Sequence, residues 1–329
     1  MQVPAVIFTA PGEVKIREIP VADPGPGEVQ IRTRFSAISG GTEGWVLHNR
    51  FTWRPSIYPC VPGYQRVGTV TAVGSGVDGW REGDTAVATM GCWDVEPLPL
   101  WGSHAALANS LQENLYRMPK GVETIDAAGA VVEQVGYNAA YRAQLSPGDW
   151  VVVFGDGLIG QHGAQAARSR GARTILVGHR EHRLALGGEH CADYAICEDT
   201  ETVARIRAIT GSEHVTAIID TVQKPECLEA YLPLLEKGVG QIVYAGFSPE
   251  ESWASMTLLH QQELTTHYIS GIARPRMAAT LQLMASGAIR LSPLVTHQVS
   301  FKQASAMWRM IEDRSEPFLG IVFDWLEEG

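Results

Sequence analysis

The feature that most restricts the fold is the run Trp150–Phe154, followed at once by Gly155, Asp156, Gly157, Leu158, Ile159 and Gly160. Five apolar or aromatic residues predict a buried strand, and G-x-G-x-x-G spacing predicts a tight turn into a helix. Each glycine has its own physical reason. Gly155 permits the turn, Gly157 withdraws a side chain where backbone would approach a pyrophosphate, and Gly160 lets the helix pack closely on the strand. A helix opening at Leu158 and Ile159 presents free N–H groups and the positive end of its dipole to phosphates. The reading is a dinucleotide site. A strand-to-helix turn without a ligand is the alternative.

The end of the next strand discriminates between dinucleotides. An NAD site wants Asp or Glu there to accept from the ribose hydroxyls. Counting 23 residues from Gly155 reaches Gly178, followed by His179 and Arg180. No carboxylate stands at this tip in the sequence. A small residue leaves room for a 2′-phosphate, and Arg180 can pair with it through a charge-assisted fork, with Arg183 adding charge. NADP(H) is therefore expected over NAD(H), while Glu181 reaching a hydroxyl would favour NAD. Thr221, Gly246, Phe247, Ser270 and Gly271 complete the candidate cofactor contacts.

The pattern around this motif changes twice along the 329 residues, a length that suits two domains at about 150 residues each. Before about Pro119, short apolar runs such as AVIF, VKIREI, EVQIRTRFSAI and VGTVTAVG are separated by Gly and Pro. Closely spaced strands with tight turns predict a partly closed barrel. After Pro119, strands alternate with helices, which predicts a parallel sheet covered on both faces. Strands are expected at 150–154, 174–178, 217–222 and 241–247, and helices at 158–170 and 202–209. Leu228, Tyr231, Leu232 and Leu235 mark one further helix face ending at Gly238. The last 55 residues show two more helix faces, Met277/Leu281/Met284/Ala288 and Ala304/Met307/Trp308/Ile311, then an extended run from Leu319 to Phe323.

Composition excludes other classes. The formal net charge is −10 and no basic cluster exists, which argues against nucleic acid or an anionic membrane surface as partner. No apolar stretch reaches 18 residues, and the N-terminus does not read as a secretion signal. The five cysteines, Cys60, Cys92, Cys191, Cys197 and Cys227, contain no C-x-x-C pair, so a disulfide framework or four-Cys zinc site is not expected. A cytoplasmic protein with a small-molecule substrate is the expectation.

The residues that carry a family resemblance are PGPGEVQIR (24–32), ISGGTE (38–43), VPGYQRVGTVTAVGSGV (61–77), SPGDWVVVFGDGLIG (146–160) and SPLVTH (292–297). Over nearly its whole length the chain resembles the medium-chain dehydrogenase/reductase superfamily. Within it, ISGGTE and VPGY resemble a branch that includes bacteriochlorophyllide dehydrogenase-like proteins. The resemblance implies an α/β fold: a GroES-like β-barrel catalytic domain, 1–118 plus 274–329, interrupted by a Rossmann doubly wound parallel sheet, 119–273. It also implies an active site in the cleft between them and a homodimer.

Most zinc-dependent members carry C-G-T-D where this chain has Gly40, Gly41, Thr42 and Glu43, and G-H-E where it has Gly63, Tyr64 and Gln65. A further acidic ligand of some members aligns with Glu133. A catalytic zinc needs about three protein ligands, so a zinc-free protein is expected. Hydride transfer to a carbonyl builds charge on oxygen that something must stabilise or protonate. Tyr64 is the candidate acid, Thr42 the candidate relay hydroxyl, and Glu133 a base or an orienting group for Tyr64. Packed, capping or backbone-satisfied roles are the respective alternatives. His48 and His104 stand at no motif position. Trp45, Trp53, Trp93 and Trp101 fill a barrel core or line an aromatic cleft. Three functions remain open: an NADP(H) oxidoreductase for an alcohol/carbonyl pair, an enone or quinone reductase, and a catalytically silent dinucleotide-binding protein.

Overall fold

In the computed structural model, which describes residues 1–52, 55–211, 213–248 and 254–326, Trp150–Phe154 lies at the centre of a six-stranded sheet. The strand order is Tyr194–Cys197, Arg173–Gly178, Trp150–Phe154, Ala217–Asp220, Gln241–Ala245, Thr265–Ile269, and every neighbouring pair is parallel. Val151, Val152 and Val153 are fully buried, as the unbroken apolar run requires of a strand covered on both faces.

Three elements end earlier than the sequence predicts, each for a local reason. The strand from Ala217 stops at Asp220, whose carboxylate accepts from the N–H groups of Val222 and Gln223, both at 2.8 Å, and turns the chain. The strand from Gln241 stops at Ala245 because Gly246 takes φ +100°. The helix expected to run on to Gly238 is a short helix, Pro225–Tyr231, then a 3₁₀ turn, Leu232–Leu234. Pro233 has no N–H to continue an α-helical ladder. Leu228, Tyr231 and Leu235 still pack into the core of the sheet.

The polypeptide divides into two compact units, Met1–Val131 with Val295–Gly329, and Val132–Leu294. Residues 119–131 thus group with the first unit and residues 274–294 with the second, unlike the boundaries read from sequence. The first unit holds a four-stranded sheet, ordered Glu13–Pro20, Gln2–Ala10, Cys60–Val61, Leu98–Pro99. Its larger sheet has seven strands, with Gly320–Asp324 pairing antiparallel to Glu28–Ala37. The strand pairings therefore trace two sheets, with no closed barrel among the described residues. Phe8, Trp308 and Phe323 meet in the core of this unit, Phe8 and Trp308 edge-to-face at 5.4 Å between ring centroids. No helix among the described residues is long and apolar enough to cross a membrane.

Candidate active site

In the second unit the glycine-rich turn has the close approaches that exclude side chains. Gly155 takes φ +112°, and a Cβ on it would lie 2.0 Å from Thr221 Oγ1. A Cβ on Gly160 would lie 2.0 Å from the Gly155 carbonyl oxygen. Gly157 faces open space and caps the helix Leu158–Ser169, whose first turn has no side-chain cap. Its leading N–H groups, from Leu158 and Ile159 onward, are left for another acceptor. The structure thus brings Gly155, Gly157, Gly160 and Thr221 together. Gly246 joins them, because a Cβ there would lie 3.5 Å from Ile159 Cδ1. Phe247 is exposed beside it. Ser270 and Gly271 follow the edge strand, and their carbonyls accept from the Arg276 guanidinium at 3.2 and 3.1 Å.

The tip of Arg173–Gly178 differs from its sequence reading. Phe154 pairs with Val177, so the residue two places beyond Phe154 lies over Gly178. That residue is Asp156, which is almost fully buried. A Cβ on Gly178 would lie 2.5 Å from the Cβ and Oδ2 of Asp156. A carboxylate therefore does occupy the strand tip, supplied by the preceding turn instead of the strand. Its Oδ2 accepts from the backbone N–H groups of His179 (2.8 Å) and Arg180 (2.9 Å). Its Oδ1 is 3.4 Å from a guanidinium nitrogen of Arg180 and 3.4 Å from one of Arg183. His179 pairs with Glu198 at 2.9 Å. Sequence reasoning missed Asp156; its signal is an acid inside the G-x-G-x-x-G motif facing a glycine at the next strand tip.

In the first unit, Thr42 opens the short helix Thr42–Leu47. Tyr64 is half-buried, its hydroxyl donates to Ser39 Oγ, and the Thr42 side chain lies close enough to favour its ionised form. The structure thus joins two of the three candidate catalytic residues and adds Ser39. Burial, and secondarily the negative charge of Glu43, push the Tyr64 phenol well above its ordinary range. The phenol therefore keeps its proton and serves as a donor. The Trp101 ring meets Tyr64 edge-on at 5.2 Å. The third candidate, Glu133, is fully buried in the helix Ala130–Arg142.

Next to this group lies a buried row of hydrogen-bonded side chains. His104 Nε2 is 2.9 Å from Glu43 Oε2, and its Nδ1 is 2.8 Å from Ser36 Oγ. Trp325 Nε1 donates to Ser36 Oγ at 2.9 Å. His48 lies instead 3.6 Å from the exposed Glu312. Trp45 packs on Phe51, Trp93 donates to the Pro97 carbonyl at 2.8 Å, and Trp53 lies outside the described residues.

The residues at the zinc-ligand positions do not fit a zinc ion. Gly40 offers no side chain. Tyr64 offers a phenol whose hydroxyl already donates to Ser39 Oγ. The Gln65 amide donates to the Ala37 carbonyl at 3.3 Å and accepts from Val131 N–H at 3.1 Å. Both nitrogens of His104 are already engaged. Among the described residues, no group of three or more His, Cys, Asp or Glu side chains is arranged to hold a metal.

Two family models match the chain: "Alcohol dehydrogenase GroES-like domain" over residues 25–120 and "Zinc-binding dehydrogenase" over residues 159–286. The chain is 26% identical over 327 residues to sorbitol dehydrogenase of Bacillus subtilis, covering 92% of each protein. It is 25% identical over 329 residues to 2-desacetyl-2-hydroxyethyl bacteriochlorophyllide A dehydrogenase of Cereibacter sphaeroides, covering 99% of each. Its fold matches the crystal structure of the RspB alcohol dehydrogenase of Escherichia coli, solved with NADH, at a TM-score of 0.84 and 22% identity, covering 98% of this chain and 99% of that one. With two family models spanning well over half of its length and dehydrogenases aligned along nearly all of it, the chain belongs to the medium-chain dehydrogenase/reductase superfamily and is an oxidoreductase.

Proposed function

We propose that the protein is a zinc-independent, NADP(H)-preferring oxidoreductase that moves hydride between the nicotinamide and an alcohol/carbonyl pair. The observation that carries this reading is the Tyr64 phenol, hydrogen-bonded to Ser39 beside Thr42, at the position where zinc-dependent relatives place a metal ligand. A bound nicotinamide supplies or accepts the hydride. The chain supplies the rest. The uncapped helix start at Leu158 and Ile159 takes the pyrophosphate, with Gly155, Gly157 and Gly160 admitting it. Thr221, Gly246, Phe247, Ser270 and Gly271 extend the same binding surface.

For the ribose end, Arg180 and Arg183 carry two positive charges against the single carboxylate of Asp156. The two guanidinium groups outnumber the one carboxylate they share, which favours the 2′-phosphate of NADP. His179 and Gly178 complete that end.

At the reacting carbonyl, oxygen gains charge as hydride arrives at carbon. The Tyr64 hydroxyl turns its one proton from Ser39 Oγ to that oxygen, and the Thr42 hydroxyl relays a replacement proton. Glu133 is the proposed base or orienting group. A cytoplasmic homodimer completes the reading.

The test is NADPH and NADH oxidation by metal-analysed protein across aldehydes, ketones, quinones and enones. Carbonyl turnover with NADPH and without stoichiometric zinc is expected. Turnover restricted to enones and quinones would replace the alcohol/carbonyl reading. Zinc that survives dialysis at one ion per chain would end the zinc-independent one.

A further inference from the structure

Glu43 and His104 hold no place in the chemistry above, yet both are fully buried. A buried carboxylate is costly unless it is paired and hydrogen-bonded. Here the pairing is complete and it has a direction. Glu43 Oε2 accepts from His104 Nε2–H at 2.9 Å, and Oε1 accepts from the Ser39 N–H at 3.0 Å. With Nε2 protonated, His104 Nδ1 accepts from the Ser36 hydroxyl, which accepts from Trp325 Nε1–H. The whole row is satisfied by an ionised Glu43 and a neutral imidazole. The backbone is shaped to admit that imidazole, because Gly63 takes φ +88° and a Cβ there would lie 2.7 Å from the His104 ring.

Ser39 links this row to the hydroxyls. Its N–H is held by Glu43 and its Oγ accepts the Tyr64 hydroxyl. We propose that Glu43, clamped by His104, is a positioning residue that fixes Ser39 and, through Ser39, holds the Tyr64 oxygen in place, so that its one proton can turn from Ser39 Oγ to the substrate oxygen. The proposal rests on the reading of Tyr64 as donor. The charge of Glu43 acts in the same sense, since a nearby carboxylate opposes a tyrosinate. The groups acting on Tyr64 are Glu43, the Ser39 and Thr42 hydroxyls and the Trp101 ring; His104 faces Glu43.

The test uses the full chain with Tyr64 replaced by 3,5-difluorotyrosine. Ring fluorination lowers phenol ionisation into a measurable range, and fluorine NMR reads its midpoint. Glu43→Gln keeps the shape: the amide oxygen still accepts from Ser39 N–H, and the amide N–H donates to His104 Nε2 once the imidazole proton moves to Nδ1. The ionisation constant of the fluorinated phenol should rise about tenfold in Glu43→Gln, one pH unit of midpoint. Glu43→Asp keeps the charge and should hold the midpoint near the parent's. An unchanged midpoint in Glu43→Gln overturns the proposal. If that variant fails to fold, Glu43→Asp decides: its shorter arm releases Ser39, the fluorine shift of the neutral phenol should move from the parent's, and an unchanged shift overturns the proposal. None of these readings needs turnover, so absence of carbonyl reduction by the parent would sink the functional reading separately. With turnover, Glu43→Asp, whose shorter arm cannot span both Ser39 N–H and His104, should lower kcat for carbonyl reduction and leave the KM for NADPH unchanged.

Discussion

Replacing Tyr64 with Phe removes one hydroxyl and leaves the ring packed against Trp101. Removing one oxyanion donor typically lowers a rate by about 10²–10³. Steady-state kinetics of Tyr64→Phe should show a loss of that order in kcat, with NADPH affinity unchanged; an unaltered kcat would shift the reading to enone reduction, where solvent supplies the proton. At the other unit, Arg180 sits half-exposed against Asp156. A charge-assisted bond to a 2′-phosphate is worth about 1.5–3 kcal/mol. Arg180→Ala should therefore weaken NADPH binding about tenfold or more, measured by calorimetry, and leave NADH binding nearly unchanged. Equal loss of both cofactors would remove Arg180 as the discriminator. The sequence shows Tyr64 and Arg180 as residue types at defined motif positions. It does not show that Asp156 already neutralises part of the arginine pair, because that contact depends on the register of two parallel strands.

The strand–turn–helix element from Trp150 to Ser169 is the most legible part of the chain, because its constraints are local. Glycines stand where a side chain would strike backbone, and this makes a sharp prediction. In Gly160→Ala the added methyl meets the Gly155 carbonyl oxygen at 2.0 Å, and backbone has little room to give. Overpacking of this kind costs about 1–3 kcal/mol. Urea denaturation should show that loss, together with weakened binding of both NADPH and NADH, since the turn serves the shared pyrophosphate. A fully stable Gly160→Ala variant would mean the turn relaxes. Element ends were less legible. Asp220 and Pro233 stop their elements through a side-chain hydrogen bond and a missing N–H, which hydrophobic periodicity does not register.

At the scale of the molecule, the chain's last strand belongs to its first unit. Gly320–Asp324 pairs with Glu28–Ala37, and Ile321, Val322 and Phe323 are almost completely buried. Burying each of these side chains stabilises the unit by roughly 1.5–3 kcal/mol. Together they approach the ~5–15 kcal/mol net stability of a typical domain. Truncation before Leu319 should therefore abolish the folded first unit, seen as protease sensitivity across residues 1–131, and a protected fragment there would contradict this. The proposed homodimer is checked by light scattering at micromolar concentration, where a mass near 35.7 kDa would count against it.

The sequence by itself determined the parallel sheet and its glycine turn. Apolar runs and glycine spacing act on neighbouring residues, and their physics is complete within about twenty positions. It also determined which residue types stand at the zinc-ligand positions. Only the tertiary structure decided how the polar side chains are paired. Glu43 and His104 are 61 positions apart, and His104 and Ser36 are 68 apart. Nothing in their local sequence distinguishes a surface histidine from a buried one. The packing of the first unit removes them from water, and a carboxylate without water must find a donor. The same holds at the cofactor end, where the register of two strands sets the Asp156 carboxylate over Gly178.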